Sequence, residues 1–354
     1  MPLLTRMVGT PLTIDIGPGA VAGLAPLLAD RRISSGGHVA VLVGPGLGEE
    51  IASTLRPQLA NAEIWTAAPG GSVQAGAELA VRLRQGFYDA LVGIGGGRTL
   101  DVAKYAASLS GLPMVAVATS LAHDGIASPV ASLDDEAGRK ASYGVQMPIA
   151  VVVDLDYVRR SEPAMRRSGI GDTVSNLSAI ADWRLAERER GEEVDGVAVT
   201  FARMAATSVV HRDDGIDDDE FLIALAESLV LSGLAMATAG SSRPCSGSDH
   251  EILHAIDRLF PDTAHHGEIA GAASLFTSYL RGDDGLSRGL DACLSRHGLP
   301  RVPADLGLTE DQFVEAVLQA PATRPDRFTI LEHLQLDEAG VRSALGGFLE
   351  AFGR

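Results

Sequence analysis

The sequence predicts an α/β domain with a parallel sheet over residues 1–160, followed by an all-α domain over residues 161–354. In the first part, short apolar runs alternate with helix-like segments, which favours parallel strands joined by helical crossovers. These runs are continuously apolar, as expected for strands that helices cover on both faces. Beyond residue 160 the β-like runs nearly stop, and amphipathic helices follow one another between glycines, prolines and acidic loops.

The strands of the first domain are predicted from their apolar runs and from the turns that follow them. The predicted strands are residues 38–43, 63–67, 90–94, 114–118 and 149–153, with helices over 47–60, 73–86 and 98–110. Residues 131–133 and 140–143 flank an acidic turn that contains a glycine, and this pattern predicts a β-hairpin. Ser161 then fits a helix N-cap and Pro163 a first helical turn, so the second domain begins there.

The charge and hydropathy of the chain limit its partners and its location. The chain has 354 residues, a net charge of −17 and no long basic run, which excludes a nucleic-acid or anionic-membrane partner. An anionic small substrate would need a local cationic pocket within this acidic surface. The N-terminus lacks the apolar core of a signal peptide, and no apolar run approaches ~18 residues, so we expect a cytoplasmic protein without membrane insertion.

The two cysteines, Cys245 and Cys293, agree with a reducing compartment, although a disulfide between them stays an alternative.

A glycine-rich loop marks a candidate phosphate-binding site in the first domain. Gly93-Ile94-Gly95-Gly96-Gly97 follows a predicted strand and precedes a helix that carries Asp101 and Lys104. Glycines at this place let backbone N–H groups approach a diphosphate, and the helix N-terminus favours negative charge. The loop is neither a Walker loop nor G-x-G-x-x-G, so a tight turn without a ligand stays open. Gly44-Pro45-Gly46, at the end of an earlier strand, is a second candidate cofactor contact. No acidic residue stands at that strand end to hold a ribose 2′-OH, so the site is predicted to accept NADP as well as NAD.

Three residues from distant segments form a candidate metal site. Asp172, His250 and His266 offer one carboxylate and two imidazoles, and this set leaves a coordination position open on a divalent cation, as a catalytic metal needs. His254 lies four residues after His250 and therefore shares its helix face, as a second ligand or as a substrate contact. The alternatives are a solvated acidic helix around His250, a surface cap at His266, and Asp172 as the N-cap of a helix over 173–187.

These motifs resemble those of a known superfamily. Gly-Gly-Gly-x-x-x-Asp-x-x-Lys at 95–104 is similar to the dinucleotide signature of the iron-containing alcohol dehydrogenase and dehydroquinate synthase superfamily. Four further segments resemble the glycerol-1-phosphate dehydrogenase family, at residues 122–128, 171–176, 241–250 and 266–268. The resemblance covers roughly residues 10–275. It implies a dehydroquinate synthase-like fold, with a Rossmann-like dinucleotide-binding domain followed by a helical domain for metal and substrate.

The resemblance also implies roles for individual residues. Asp172, His250 and His266 would bind one divalent metal per chain, zinc first, with iron or nickel as alternatives, while Asp124, Asp172 and His254 would contact the substrate. The implied NAD(P) contacts are Gly95, Gly96, Gly97, Arg98, Thr99, Asp101, Thr119, Ser120, Ala122 and Ser128. The chain departs from the family pattern at Arg98, Leu121, Ala122 and Asp249, none of which is an implied metal ligand.

The implied reaction is hydride transfer between NAD(P) and a small phosphorylated polyol, interconverting dihydroxyacetone phosphate and sn-glycerol 1-phosphate in glycerophospholipid metabolism. Asp124 or His254 would relay the proton, and a histidine has the better suited unperturbed pKa of ~6.5. Arg243 is the predicted phosphate partner, with an ion pair to a loop carboxylate as the alternative. We also expect a homo-oligomer.

Three other functions stay open at this point. The chain could be another polyol or alcohol dehydrogenase of the superfamily, or a dehydroquinate synthase-like sugar-phosphate cyclase. It could also be a catalytically silent protein that binds metal or nucleotide.

Overall fold

The computed structural model describes residues 9, 11–59, 62–67 and 70–353. The N-terminal residues 1–8 and 10, on which the expectation about a signal peptide rests, lie outside this part, as does Ala60 at the end of the predicted helix 47–60. The contacts divide the described chain into two compact units, one ending at Glu162 and one beginning at Pro163.

The first unit is built on a six-stranded sheet in which every described strand pair is parallel. Its strands are β1 (Thr13–Gly17), β2 (Val39–Val43), β3 (Ala62–Thr66), β4 (Ala90–Gly95), β5 (Met114–Ala118) and β8 (Ala150–Asp154), in the order β1-β8-β5-β4-β2-β3. Between them β6 (Val130–Asp134) and β7 (Lys140–Gly144) form an antiparallel pair, which is the predicted hairpin. The helices are α1 (Leu24–Leu28), α2 (Leu47–Leu55), α3 (Val73–Gln85), α4 (Gly97–Ser110) and α5 (Leu155–Val158).

The burial of the central strands explains why the sequence predicts them. Strands β2, β4, β5 and β8 are buried along their whole length, so a continuous apolar run satisfies both faces. The sequence does not predict β1, because this edge strand is half exposed and carries Asp15. The parallel sheet followed by helices confirms the predicted fold class.

The second unit consists of helices throughout its described length. They are α6 (Pro163–Arg190), α7 (Gly196–Val210), α8 (Asp219–Ala239), α9 (Ser248–Leu259), α10 (His266–Leu280), α11 (Asp284–Arg296), α12 (Glu310–Gln319), α13 (Ile330–Leu334) and α14 (Glu338–Phe352), with short 3-10 turns at Pro303–Leu306 and Ala320–Thr323. Pro163 is the first residue of α6, where its missing N–H costs nothing.

Helix α8 is long and apolar enough to cross a membrane by length and composition, with a mean hydropathy of 1.9 over its most apolar window. In the structure 72% of that window is buried against other parts of the protein. The apolar character of α8 is therefore accounted for by its place in the core of the helical unit, where it meets other helices. One such helix is weak evidence for a membrane span.

Candidate functional site

Asp172, His250 and His266 come together in the helical unit. One ligand atom from each lies within 4.8 Å of the other two, and no other such cluster of histidine, cysteine or acidic side chains occurs in the part of the chain that the structure describes. The Nε2 atoms of His250 and His266 lie 3.8 Å and 3.6 Å from Oδ1 of Asp172. Asp172 and His250 are buried, and His266 is partly exposed. The three residues that the sequence analysis assigned to one metal site thus form one compact set of donor atoms in the structure.

Asp172 and His266 meet because helices α6 and α10 touch at two glycines. A Cβ placed on Gly171 would lie 2.0 Å from the carbonyl oxygen of Gly267, and one on Gly267 would lie 1.8 Å from the carbonyl oxygen of Ser168. The Gly267 N–H also donates to Ser168 Oγ at 3.0 Å. Only glycine permits this backbone approach, which offsets its cost inside a helix.

The positions of Asp172 in α6 and of His266 in α10 decide between the interpretations that the sequence left open for these two residues. Asp172 lies in the middle of α6, so the interpretation of Asp172 as the N-cap of a helix over 173–187 is wrong. His266 is the first residue of α10, and the Glu268 carboxylate accepts from the His265 N–H at 3.0 Å, which fixes the start of that helix. His266 therefore begins a helix, as predicted, and also faces Asp172.

His250 is oriented by carboxylates on both of its sides. Its Nδ1 is hydrogen-bonded to Oδ2 of the buried Asp249, and a carboxylate can only accept, so Nδ1 carries the proton. Nε2 is then the ring nitrogen that faces Asp172, and it can bind a metal once its own proton is lost, as in metal sites where a carboxylate orients a ligating histidine. Helix α9, which carries His250, is held at its first residue by Asp182 of α6, whose Oδ2 accepts from Ser248 N and Oγ at 2.7 and 2.6 Å.

The electrostatics of this donor set favour a bound cation. Burial alone would lower the pKa of His250, but the hydrogen bonds and charges of Asp172 and Asp249 outweigh it and raise the pKa to about 10. A positive charge is therefore stabilised between His250 and Asp172. One carboxylate and two imidazoles are ligands that zinc and related divalent metals accept, with further positions left for solvent or substrate. The residues present fit the metal that the sequence implies.

His254 is held by an arginine that the sequence analysis did not single out. Nη2 of Arg324 lies 3.0 Å from Nε2 of His254. A guanidinium can only donate, so His254 accepts at Nε2 and carries its proton on Nδ1. Burial and the Arg324 charge hold the pKa of His254 well below its usual range. The unperturbed pKa of ~6.5 therefore does not apply to His254 in this structure, because burial and the Arg324 charge favour the neutral imidazole.

Arg243 is engaged in an ion pair, which is the alternative that the sequence left open for it. Its Nε donates to Oε1 of Glu192 at 2.7 Å, and its Nη2 donates to Oε2 of the same carboxylate and to the Phe328 carbonyl at 3.0 Å. This bidentate pair occupies the edge of the guanidinium that would otherwise bind a phosphate. The structure thus shows the ion pair that the sequence left open as the alternative, and the phosphate role of Arg243 stays a prediction.

The sequence analysis missed the segment 323–329, which lies against helix α9. Arg327 donates to the Ser246 carbonyl, to Ser246 Oγ at 2.9 Å and to Ser242 Oγ at 3.0 Å. Thr329 Oγ1 donates to Oε2 of the buried Glu251 at 3.0 Å, and burial, with Glu332 and Asp182 nearby, raises the pKa of Glu251 to about 9. The only signal in the sequence was the pair of arginines in Arg-Pro-Asp-Arg at 324–327, which matches no motif.

In the α/β unit the glycine loop has the predicted place between a strand and a helix. Strand β4 ends at Gly95, Gly96 caps α4, and Gly97 is the first helical residue. A Cβ on Gly95 would lie 2.8 Å from Thr99 Cβ, and a Cβ on Gly97 would lie 2.2 Å from Nε2 of His123. At Gly96 the nearest atom would be Ser120 Oγ at 3.6 Å, an ordinary contact distance. Gly96 therefore has room beside it for a Cβ at the N-terminus of α4, where an anion is favoured.

The other predicted cofactor residues surround this loop or support it. The Thr119 N–H donates to the Gly95 carbonyl at 3.1 Å, which joins the ends of β4 and β5. Asp101 is buried, lies 2.9 Å from Lys104 Nζ and accepts from Ser132 N at 3.2 Å. Thr99 and Ser128 are also buried, and Arg98 is exposed. Ala122 precedes the 3-10 turn Asp124–Ile126, which Asp124 begins.

Comparisons with known proteins show the family to which the chain belongs. Residues 15–161 match the family model described as iron-containing alcohol dehydrogenase. The glycerol-1-phosphate dehydrogenase [NAD(P)+] of Methanospirillum hungatei is 36% identical over 93% of this chain and 90% of its own length. The enzyme of the same name from Methanothrix thermoacetophila is 35% identical over 94% of both chains. That from Thermofilum pendens is 43% identical over 70% of this chain and 72% of its own length.

Solved structures show the same fold at lower identity. Glycerol dehydrogenase from Schizosaccharomyces pombe gives a TM-score of 0.76 at 18% identity, covering 99% of this chain and 93% of the other. Sulfoacetaldehyde reductase from Bifidobacterium kashiwanohense, solved in complex with NAD+, gives 0.73 at 18% identity, covering 98% and 99%. The family match and these relatives define an oxidoreductase of the iron-containing alcohol dehydrogenase class. Within that class, the chain belongs to the glycerol-1-phosphate dehydrogenase family.

Proposed function

We propose that the protein catalyses NAD(P)-dependent interconversion of dihydroxyacetone phosphate and sn-glycerol 1-phosphate. The observation that carries the proposal is the donor set of Asp172, His250 and His266, within 4.8 Å of one another, in a chain of this family. A chain with this set can hold a cation next to a substrate oxygen. The family relation supplies the substrate, because the relatives are named for glycerol 1-phosphate.

In this proposal each ligand is already oriented by the protein. Asp172, His250 and His266 would hold a divalent metal, which, when bound, supplies Lewis acidity toward the C2 oxygen of the substrate. Asp249 fixes the tautomer of His250, and the contact between Gly171 and Gly267 fixes the distance between Asp172 and His266. The burial of Asp172 and His250 excludes water from one side of the donor set, which strengthens its electrostatic interactions.

His254 and Asp124 are the proposed groups for handling the proton. His254 is neutral with its proton on Nδ1, so it can donate a hydrogen bond from Nδ1 to a substrate oxygen while Arg324 holds Nε2. Asp124 is the carboxylate that the family resemblance implies as a substrate contact, and it begins a 3-10 turn in the α/β unit. We expect His254→Asn to keep the metal and to lower kcat by about 10²–10⁴ if His254 moves the proton.

NAD or NADP is proposed to bind at the glycine loop, with its diphosphate against Gly96 and the first turn of α4. The proposed contacts are Gly95, Gly96, Gly97, Arg98, Thr99, Asp101, Thr119, Ser120, Ala122 and Ser128. The room for a Cβ beside Gly96 and the helix N-terminus support this placement. Thr99, Asp101 and Ser128 are buried, so they act through the shape of the loop as much as by direct contact. A homo-oligomeric state and a cytoplasmic location are also proposed.

The test is a substrate panel followed by NAD(P)H absorbance. The metal-loaded protein is given dihydroxyacetone phosphate, dihydroxyacetone, glyceraldehyde 3-phosphate and glycerol with either cofactor. We expect the highest kcat/KM for dihydroxyacetone phosphate, and a product that co-elutes with sn-glycerol 1-phosphate on a chiral column. Equal or better use of an unphosphorylated substrate would contradict the proposal and favour a polyol dehydrogenase.

A further inference from the structure

Arg324 contacts His254, which in turn lies beside the proposed metal ligand His250. Its Nη2 is 3.0 Å from His254 Nε2, the His254 and His250 rings are 6.3 Å apart between centroids, and the His250 and His266 rings are 5.3 Å apart. The guanidinium therefore adjoins the residue that the proposed function places against the substrate.

The local structure holds Arg324 in this position. Arg324 follows the 3-10 turn Ala320–Thr323, which packs on α9, and Thr323 Oγ1 donates to the Glu251 carbonyl of that helix at 3.4 Å. Pro325 disfavours the helical conformation for the preceding residue, and Arg324 leaves the 3-10 turn with φ −141° and ψ 68°. The Arg327 N–H then donates to the Arg324 carbonyl at 2.9 Å. The backbone that carries the guanidinium is thus fixed from both sides.

Arg324 belongs to an arginine cluster, formed with Arg243 and Arg327, in a protein whose net charge is −17. The charges of Arg324 and Arg243 contribute to lowering the pKa of Arg327 to about 10, although burial is the larger cause. Burial also lowers the pKa of Arg324. Cations that are poorly solvated and close to one another stabilise an anion placed between or beside them. The arginine cluster therefore supplies the local positive charge that an anionic substrate of an acidic protein needs.

Within the arginine cluster, the three guanidinium groups have different partners. Arg243 binds the Glu192 carboxylate in a bidentate pair, and Arg327 binds the carbonyl and hydroxyl groups of Ser246 and Ser242. Arg324 contacts the imidazole of His254, the residue that the proposed function places against the substrate. The chain has two lysines, Lys104 and Lys140, and both lie in the α/β unit, so an arginine has to supply a permanent positive charge in the helical unit.

We propose that the Arg324 guanidinium binds the phosphate group of the substrate beside His254 and thereby selects the phosphate ester over the unphosphorylated polyol. This assignment rests on the proposed function, because it places the substrate against His254. A guanidinium carries five N–H donors in a planar fork, so phosphate oxygens and His254 Nε2 are bound by different N–H groups. Arg324 takes the role that the sequence assigned to Arg243.

The experiment compares kcat/KM for dihydroxyacetone phosphate and for dihydroxyacetone in the metal-loaded wild type, Arg324→Gln and Arg324→Lys. We expect Arg324→Gln to lose about tenfold to a hundredfold with the phosphate ester and less than about threefold with dihydroxyacetone. Arg324→Lys keeps the charge without the fork and should recover part of the loss. The matched control is Arg342→Gln, because Arg342 is an exposed arginine of the same unit that pairs with Asp311 and Glu338.

A second readout does not depend on turnover. Calorimetry with inorganic phosphate should show binding to the metal-loaded wild type and to Arg342→Gln, and at least about tenfold weaker binding to Arg324→Gln. Metal content and thermal unfolding of each variant establish that it is folded and loaded. If Arg324→Gln falls out of solution, Arg324→Lys carries the same comparison.

Two results would overturn the assignment. Equal losses with both substrates would make Arg324 a positioning residue for His254, and unchanged phosphate binding would remove it from the site altogether. If the wild type binds phosphate through Arg324 but does not reduce dihydroxyacetone phosphate, the anion site is correct and the proposed function is wrong.

Discussion

Gly171 lies so close to Gly267 that a Cβ at position 171 would come within 2.0 Å of the Gly267 carbonyl oxygen. Each glycine adjoins a proposed ligand in the chain, since Asp172 follows Gly171 and His266 precedes Gly267. The close packing of α6 against α10 therefore also brings the proposed ligands Asp172 and His266 together. Any side chain at this contact must push the two helices apart and separate the donors.

The first prediction tests this coupling with Gly171→Ala. Because the new methyl group cannot fit, we expect about 1–3 kcal/mol of overpacking cost together with a lower metal affinity. Gly346→Ala in α14 is the control, since a Cβ there meets open space and alanine favours a helix by up to ~1 kcal/mol. Chemical unfolding and metal titration are measured on both. A variant Gly171→Ala with wild-type metal affinity would separate helix packing from the site.

The second prediction concerns the ligands themselves. His266→Ala should purify with far less than the one metal per chain expected of the wild type, because two remaining donors bind a divalent cation weakly. His211→Ala, an exposed histidine at the end of α7, should keep the metal. Elemental analysis after dialysis checks both proteins. Equal metal in His266→Ala and in the wild type would exclude His266 as a ligand.

The third prediction separates cofactor binding from folding in the glycine loop. Gly96→Val should fold normally, since Ser120 Oγ is the one atom that a Cβ at this position would meet within 4 Å. The variant should nevertheless lose NAD(P)H binding, because the side chain fills the space beside α4. Gly97→Ala should instead destabilise the unit, since its Cβ would meet the His123 ring. Calorimetry with NADH and NADPH, together with thermal unfolding, distinguishes the two effects. Wild-type affinity in Gly96→Val would place the diphosphate elsewhere.

The sequence predicts the features of this structure that local patterns determine, and it predicts poorly those that depend on contacts between residues far apart in the chain. Strands β2, β4, β5 and β8 are predictable because burial on both faces leaves a continuous apolar run, whereas the edge strand β1 has no such pattern. Asp172, His250 and His266 were predicted from motifs and resemblance, and the structure brings them together. Glycines within a helical pattern were the overlooked signal of close packing at Gly171.

The partners of the arginines could not be predicted in the same way. Arg324 reaches His254, 70 residues earlier in the chain, only because the 3-10 turn before Arg324 packs on α9. Glu192 pairs with Arg243 from a loop after α6, again across a long separation in sequence. Neither arginine lies in a periodic pattern that indicates its partner. Contacts between residues that are far apart in the chain have no characteristic sequence spacing from which they could be predicted.

The fourth prediction is a pH dependence of stability that comes from Cys293. Both cysteines are buried thiols, and burial raises the pKa of Cys293 to about 11. The unfolded thiol loses its proton from about pH 8.5 upward while the folded thiol keeps it, so the unfolded state binds fewer protons and stability falls between about pH 9 and 11. Cys293→Ala should show a shallower decline over this range in chemical unfolding. Parallel curves for the variant and the wild type would contradict the buried neutral thiol.

The fifth prediction distinguishes Arg243 from Arg324. Arg243 is buried against Glu192 and the Phe328 carbonyl, so Arg243→Gln leaves a carboxylate edge and a carbonyl without their cation. Breaking a buried pair costs up to about 3–5 kcal/mol, and because Glu192 is 35% exposed we expect a smaller loss of about 2–3 kcal/mol in the free energy of unfolding. The ratio of kcat/KM for dihydroxyacetone phosphate to that for dihydroxyacetone should stay within about threefold of the wild type, because Arg243 acts on the fold and not on the phosphate.

Urea unfolding and the two-substrate assay measure these quantities on one preparation, with Arg324→Gln alongside as the variant expected to behave in the opposite way. A collapse of the substrate ratio in Arg243→Gln, without a loss of stability, would return the phosphate site to Arg243 and require its pair with Glu192 to open when substrate binds.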